Sequence, residues 1–424
     1  MTGVIAVAVA AVAAACGHDA ARRDPPPTRI VLPPLLAAMP APTATPIDPG
    51  YVGPEVCGEC HEAKLASARK TSHFRTSRPA TPDATTAPFG GDAEDVVVAS
   101  PVDPRLRIVL LAQDGGLWQV GLDGRSQERV ARKADVVFGS GKLGQTFLYW
   151  EGPFLYELPA TYFAPPVGWR FSPGYHEDQL DFSRPVFGQC LECHALWAQP
   201  GRPDLVYEHS YVGEVRWGVT CEKCHGPGRD HVAWHRAHPD DTEPHAIVAP
   251  DDLSRERRDD ICMLCHSDHG EELQPAFSFR PGKVLREFYS GPRPGAPPPP
   301  PDPGNGMAAM PDVHSNNQMD RLRQSACYRG SAELGCVSCH DPHTYERGDA
   351  ATFNERCMAC HDAATLSPTR DAAAGRAAVR HDGAAPCVDC HMPRARTEIA
   401  QRPGGEDEAR AMIRDHKIGI YPAP

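Results

Sequence analysis

The sequence predicts a mainly α fold with long irregular loops and one small antiparallel β insert. Three observations lead there. Short helix-compatible pieces such as "HEAKLASARKTSHF" surround close pairs of cysteines and are joined by Gly/Pro turns. One stretch, about 95–163, carries no Cys or His and alternates apolar with polar residues. Large aliphatic side chains are sparse in a chain of 424 residues with 45 prolines. A core of side chains alone would be thin, so something else is expected to fill the interior.

The length suffices for two or three ordinary domains. The net charge of −12 argues against a nucleic-acid partner, which wants a basic stripe. The opening run "MTGVIAVAVAAVAAAC" is apolar but too short to span a bilayer comfortably, and it suits a signal peptide. Ala13, Ala14 and Ala15 before Cys16 resemble a bacterial lipobox, although Ala stands at the third position before the cysteine in place of Leu. Residues 1–16 therefore read as a lipoprotein-like signal peptide with Cys16 as the lipidation site; ordinary cleavage after A-x-A is the alternative. Either reading exports the chain. The first predicts a periplasmic or cell-surface protein, lipid-anchored to a bacterial membrane. Residues 17–49 are a Pro/Ala-rich tether.

Residues 50–291 form an N-terminal region. Within it, "RLRIVLLAQDGGLWQVGL" alternates around Asp114, Gly115 and Gly116, a hairpin signal. "VVFGSGKLGQTFLYWEGPFLYELP" continues in β-branched and aromatic residues. A Pro-rich loop at 292–306 separates this region from a C-terminal region, 307–424.

The chemistry lies in an internal repeat, C-x-x-C-H, which occurs seven times and uses fourteen of the sixteen cysteines. The copies are Cys57, Cys60 and His61; Cys190, Cys193 and His194; Cys221, Cys224 and His225; Cys262, Cys265 and His266; Cys336, Cys339 and His340; Cys357, Cys360 and His361; and Cys387, Cys390 and His391. Two thiols three residues apart reach the two vinyl groups of one haem, and the next residue places its imidazole under the iron. Zinc needs two such halves per ion and does not ask for His after every second Cys. A thioredoxin-like dithiol would occur once, in a βαβ setting. A disulfide scaffold would not keep one spacing. The repeat therefore predicts seven covalently attached haem c groups, four before the Pro-rich loop and three after it. The porphyrins would supply the missing core, and the apoprotein is expected not to fold.

Thirteen histidines lie outside the repeats, and a low-spin haem takes a second axial ligand, commonly His or Met. First candidates are His73, His231, His314, His343, His381 and His416. His209 and His176 compete for a seventh place. His235, His238, His245 and His269 sit in polar stretches and read as solvated. Met319 reads as a core or surface residue before a thioether ligand, and Cys327 as a buried free thiol. No residue is assigned a catalytic role: neither G-x-S-x-G nor a P-loop nor C-x-x-C-K occurs.

On "YVGPEVCGECHEAKLASARKTSH", "GVTCEKCHGPGRDHV", "GCVSCHDPH", "CVDCHMPR" and "DHKI", the chain resembles multihaem c-type cytochromes related to the cytochrome c-554 family. The resemblance implies a mainly helical multihaem cytochrome c fold organised around stacked haems. It further implies bis-His ligation at most of them, with His73 and His231 as axial ligands. Larger haem number, the β insert and the Pro-rich loop depart from that pattern. The expected function is an exported electron conduit. Its partners would be redox proteins or a quinol oxidoreductase. The alternative is an oxidoreductase acting on a small nitrogen or sulfur compound at a five-coordinate haem.

Overall fold

The computed structural model describes residues 41–91, 96–124, 128–205, 208–268, 270–291, 317–361, 385–396 and 412–421. Cys16, the signal peptide, most of the tether, the Pro-rich loop, His269, His314 and His381 lie outside them.

The chain enters on two short helices, α1 (Pro54–Gly58) and α2 (Glu62–Ala68), then pairs as strands. In chain order these are β1 (Ser77–Pro79), β2 (Val96–Ala99), β3 (Leu106–Gln113), β4 (Gly116–Asp123), β5 (Glu128–Lys133), β6 (Val136–Phe138), β7 (Gly144–Glu151), β8 (Phe154–Glu157), β9 (Ala160–Phe163), β10 (Gly168–Phe171) and β11 (Arg184–Pro185). Helix α3 (Gly188–His194) runs straight into β12 (Ala195–Pro200), which pairs with β13 (Tyr211–Trp217). Helices α4 (Cys221–His225), α5 (Arg229–Ala237), α6 (Arg255–His266), α7 (Gln318–Leu322), α8 (Ala326–Gly330), α9 (Ala350–Met358) and α10 (Cys387–His391) follow, and β14 (Arg394–Arg396) pairs with β15 (Met412–Arg414).

The expectation of a mainly α fold is overturned. The protein is 28% helix and 24% strand, with several antiparallel sheets. A four-stranded sheet runs β2-β3-β4-β5, and a seven-stranded sheet joins β1, β6, β7, β8 and β11, with β9 and β10 alongside. The β portion thus reaches from Ser77 to Trp217 and is not a small insert. The cause is side-chain type. Trp169, Phe171, Trp197, Tyr211, Val215 and Trp217 extend the aromatic and β-branched character past residue 163. The motif helices meanwhile are short, five residues in α1, α4 and α10, and helices of that length hold only through their surroundings.

Local chemistry explains the hairpin between β3 and β4. Asp114 and Gly115 both take positive φ, 51° and 69°, as a two-residue type I′ turn requires. Leu106, Ile108 and Leu110 then face inward together. Ile108 and Leu110 pack with Val98, Ala160 and Phe171. Phe147, on β7, is fully buried and meets Phe89 and Trp169 at ring distances of 5.2 and 5.6 Å.

Two motifs are rooted in these cores by their intervening residues. Leu191, inside "CLECH", is fully buried beside Leu148, Leu155 and Trp197. Met263 and Leu264, inside "CMLCH", pack with Phe279, Leu285, Tyr289 and Met319. Met319 is 1% exposed, a core residue. Among the described residues beyond Leu322, only Ser325, Gly335 and Asp415 are buried, none of them a large apolar side chain. Among the described residues, the thin core expected from composition is therefore confined to those beyond Leu322.

Because the β portion has a side-chain core of its own, Phe147→Ala is expected to destabilise the protein by about 3–5 kcal/mol, read by denaturant unfolding followed through tryptophan fluorescence. A loss under about 1 kcal/mol would show that this core contributes little.

Candidate functional site

Each C-x-x-C-H sits on one tight turn. In the motifs at Cys57, Cys336 and Cys357 the histidine N–H donates back to the first cysteine's carbonyl at 2.9, 3.0 and 3.0 Å. The two thiols, three residues apart, then share one side of the turn. No disulfide joins any of the described cysteines, and Cys60, Cys190, Cys360 and Cys390 are exposed.

Three motif histidines face a second imidazole from elsewhere in the chain. His225 and His343 have ring centroids 6.1 Å apart. His266 and His73 are at 6.2 Å, and so are His340 and His416. Two imidazoles bound to opposite sides of one metal ion stand about 6 Å apart, since the metal–nitrogen bond is about 2 Å and the ring centre lies about 1 Å behind the nitrogen. The donor set and spacing fit one iron between each pair.

The rings are also oriented from behind. Nδ1 of His225 bonds the Val248 carbonyl at 2.9 Å, His391 that of Gly419 at 2.7 Å, His194 that of Thr76 at 3.3 Å, and His416 that of Arg414 at 3.2 Å. Nδ1 of His266 bonds Gln318 Oε1 at 3.1 Å, and that of His343 bonds Asp341 Oδ1 at 3.1 Å. Each such bond fixes the tautomer that leaves Nε2 for a ligand. Burial also pushes five histidine rings toward the neutral form. His73 is lowered to about 4 by burial, with His266 and His340 adding repulsion. His416 falls to about 4 by burial and the nearby His340. Burial likewise lowers His194, His225 and His340. A neutral imidazole is the form that binds metal.

The segment bearing His416 is held by a buried bidentate pair. Arg321 on α7 donates Nε to Asp415 Oδ1 at 2.8 Å and Nη2 to Oδ2 at 2.6 Å, and Asp415 is fully buried. Ser325 Oγ donates to the His416 carbonyl and accepts from Ile418 N–H. The same tail returns to the last motif, where Gly419 bonds His391 through both ring and backbone.

The motifs meet in twos. The first thiol of one lies close enough to the first thiol of another to influence it at Cys57 and Cys221, at Cys262 and Cys336, and at Cys357 and Cys387. The motif at Cys190 meets the motif at Cys262 differently, through its second cysteine. Its second thiol points to the Leu264 carbonyl at 3.6 Å, and its His194 ring stacks on Phe138 at 4.6 Å with a 6° interplanar angle.

The remaining candidates lie elsewhere. His231 bonds the His245 carbonyl through Nδ1 at 2.8 Å and sits 4.5 Å from the ring of His235, which belongs to no motif. His209 is buried among Phe154, Tyr156 and Phe187, and His176 is exposed. His235, His238 and His245 gather with Trp234, whose ring lies 4.2 Å from His238 and 4.5 Å from His245. Cys327 is half-buried, close enough to Cys339 and Cys357 to influence both. Sequence reasoning missed Phe138, the Arg321–Asp415 pair and the acidic or amide side chains beside the motifs.

A family model described as Cytochrome c554 and c-prime matches residues 176–226, which hold the motifs at Cys190 and Cys221. A second, described as Cytochrome c3, matches residues 329–400, which hold those at Cys336, Cys357 and Cys387. Comparison with curated proteins and with solved structures returned no match. The matches cover two separate parts of the chain, each centred on the repeated motif, and they make the chain a relative of the multihaem c-type cytochromes, proteins of electron transfer that carry covalently bound haem c.

Proposed function

We propose that the chain is an exported heptahaem electron conduit with mostly bis-His iron. The observation that carries this reading is the set of three imidazole couples at 6.1–6.2 Å. Covalently bound haem supplies one-electron chemistry when present. The chain's part is to hold it. Fourteen thiols anchor seven groups, and His61, His194, His225, His266, His340, His361 and His391 bind from the motif side. His343, His73 and His416 would hold the same groups together with His225, His266 and His340. His231, His314 and His381 remain proposed ligands for the other motifs. Two imidazoles holding one iron would leave substrate no place on it, which favours transfer over catalysis.

Export and lipid anchoring at Cys16 are part of the same proposal, supported by the apolar leader and the small residues before Cys16. No described helix is long and apolar enough to cross a membrane, so the proposed hold on the membrane is the lipid. Redox proteins or a quinol oxidoreductase on the same membrane are the proposed partners.

His343→Ala and His416→Ala are each expected to convert one low-spin haem to high-spin. The optical spectrum of the oxidised protein would show the charge-transfer band of high-spin ferric haem. Unchanged spectra in both would remove these assignments. A high-spin signal already present in the parent protein, with binding of nitrite or cyanide, would favour the oxidoreductase instead.

Asp415→Ala strands the Arg321 charge in a buried place. It should cost about 3–5 kcal/mol and loosen His416, giving the same spectral change at the same haem. Stability close to the parent would show that the pair does not hold this segment.

Cys16→Ser is expected to move the protein from the membrane fraction to the soluble exported fraction. Retention on the membrane would remove the lipid anchor from the account.

A further inference from the structure

The couples of motifs are joined by a side chain that recurs at one sequence offset. Asp259 stands three residues before Cys262, and Asn354 three residues before Cys357. Asp259 Oδ1 accepts the backbone N–H of Cys336 at 3.2 Å. Asn354 Oδ1 accepts the backbone N–H of Cys387 at 2.8 Å. In both cases the donating N–H belongs to the first cysteine of the motif whose first thiol lies close to that of the accepting residue's own motif. An offset of three places the polar side chain and the thiol on one helix face, so both are presented to the same neighbour. The N–H that is taken belongs to the first residue of a helical turn and has no partner within its own turn.

The third couple uses another position for the same end. Glu222, inside "CEKCH" and 2% exposed, accepts Val52 and Gly53 N–H at 2.9 Å each, directly before the helix carrying Cys57. It also accepts Gly228 N–H at 2.8 Å. Glu192, the same residue type in the motif at Cys190, is used otherwise. It accepts Phe277 N–H and the Tyr289 hydroxyl, neither of which belongs to a motif.

We infer that Asp259 and Asn354, with Glu222 in the third couple, are positioning residues that set the mutual orientation of paired haem motifs. The inference rests on the proposed haem loading and deepens it by naming what fixes the pairs. Gly335 belongs to the same device. A Cβ there would stand 2.7 Å from Asp259 Oδ1, so any larger residue displaces the carboxylate from Cys336.

The test uses the haem-loaded full chain and two readouts. Haem content comes from intact mass. Orientation within a pair comes from electron paramagnetic resonance of the oxidised protein, because neighbouring paramagnetic irons broaden and shift one another's signals. Asp259→Leu and Asn354→Leu are each expected to keep the parent haem content while replacing one interacting signal by isolated low-spin signals. Asp259→Asn and Asn354→Asp keep the accepting oxygen and should keep the parent spectrum. Gly335→Ala adds one methyl at an extended backbone position, φ −143°, and should reproduce the Asp259→Leu spectrum even where the leucine variants mature poorly. Parent-like spectra in the leucine variants and in Gly335→Ala would overturn the inference and leave the haem reading standing. A haem-loaded parent with no interacting signals would also overturn the inference, whereas a parent mass without haem would overturn the haem reading itself.

Discussion

An imidazole can face another across about 6 Å only if something holds both rings, and much of this structure is the means of doing so. One ring of each couple is fixed by the C-x-x-C-H turn, where its backbone position follows from the cysteines. The other must arrive from far away in sequence. His73 comes from the turn after α2 to meet His266, and His416 comes from the C-terminal tail to meet His340. Each arrival needs an anchor. For His416 it is the buried Arg321–Asp415 pair. For His73 it is the backbone of the β portion, since its carbonyl accepts Val219 N–H just after β13.

The sheets therefore serve the motifs and are not an appendage. Helix α3 ends at His194, and β12 begins at the next residue. Ala195 lies opposite Trp217 in the ladder, and Cys221 follows four residues later. Two motifs are thus tied to the two ends of one hairpin. Phe138, at the end of β6, lies flat on the His194 ring. The C-terminal part uses a different means. Its described residues beyond Leu322 bury no large apolar side chain and are held by polar ties such as Asn354 to Cys387 and Gly419 to His391. Such ties are weak singly, about 1 kcal/mol each, which leaves room for the haems themselves to act as its core.

The site was more legible in the sequence than the fold. C-x-x-C-H states its chemistry in five residues because attachment and ligation are both local. His343 and His416 stood out by their neighbours in "CHDPH" and "DHKI". Which motif each would face was not readable, since that depends on tertiary folding. His231 shows the same limit, with its ring beside His235 in the structure. The helical expectation failed over residues 164–217. There the β signal is carried by scattered aromatics such as Trp169 and Trp197, with no long alternation. Asp259 and Asn354 had a legible offset, but the offset has meaning only once the partner N–H is seen.

The central claim is that all seven motifs hold haem covalently. Its most direct test is the intact mass of protein matured with a working haem-attachment system, then denatured and washed free of loose haem. The account predicts a polypeptide heavier by seven haems than its mature sequence. Replacing Cys357 and Cys360 together with alanine should lower the excess to six. A mass equal to the amino acids alone, or an excess unchanged by that double replacement, would contradict it.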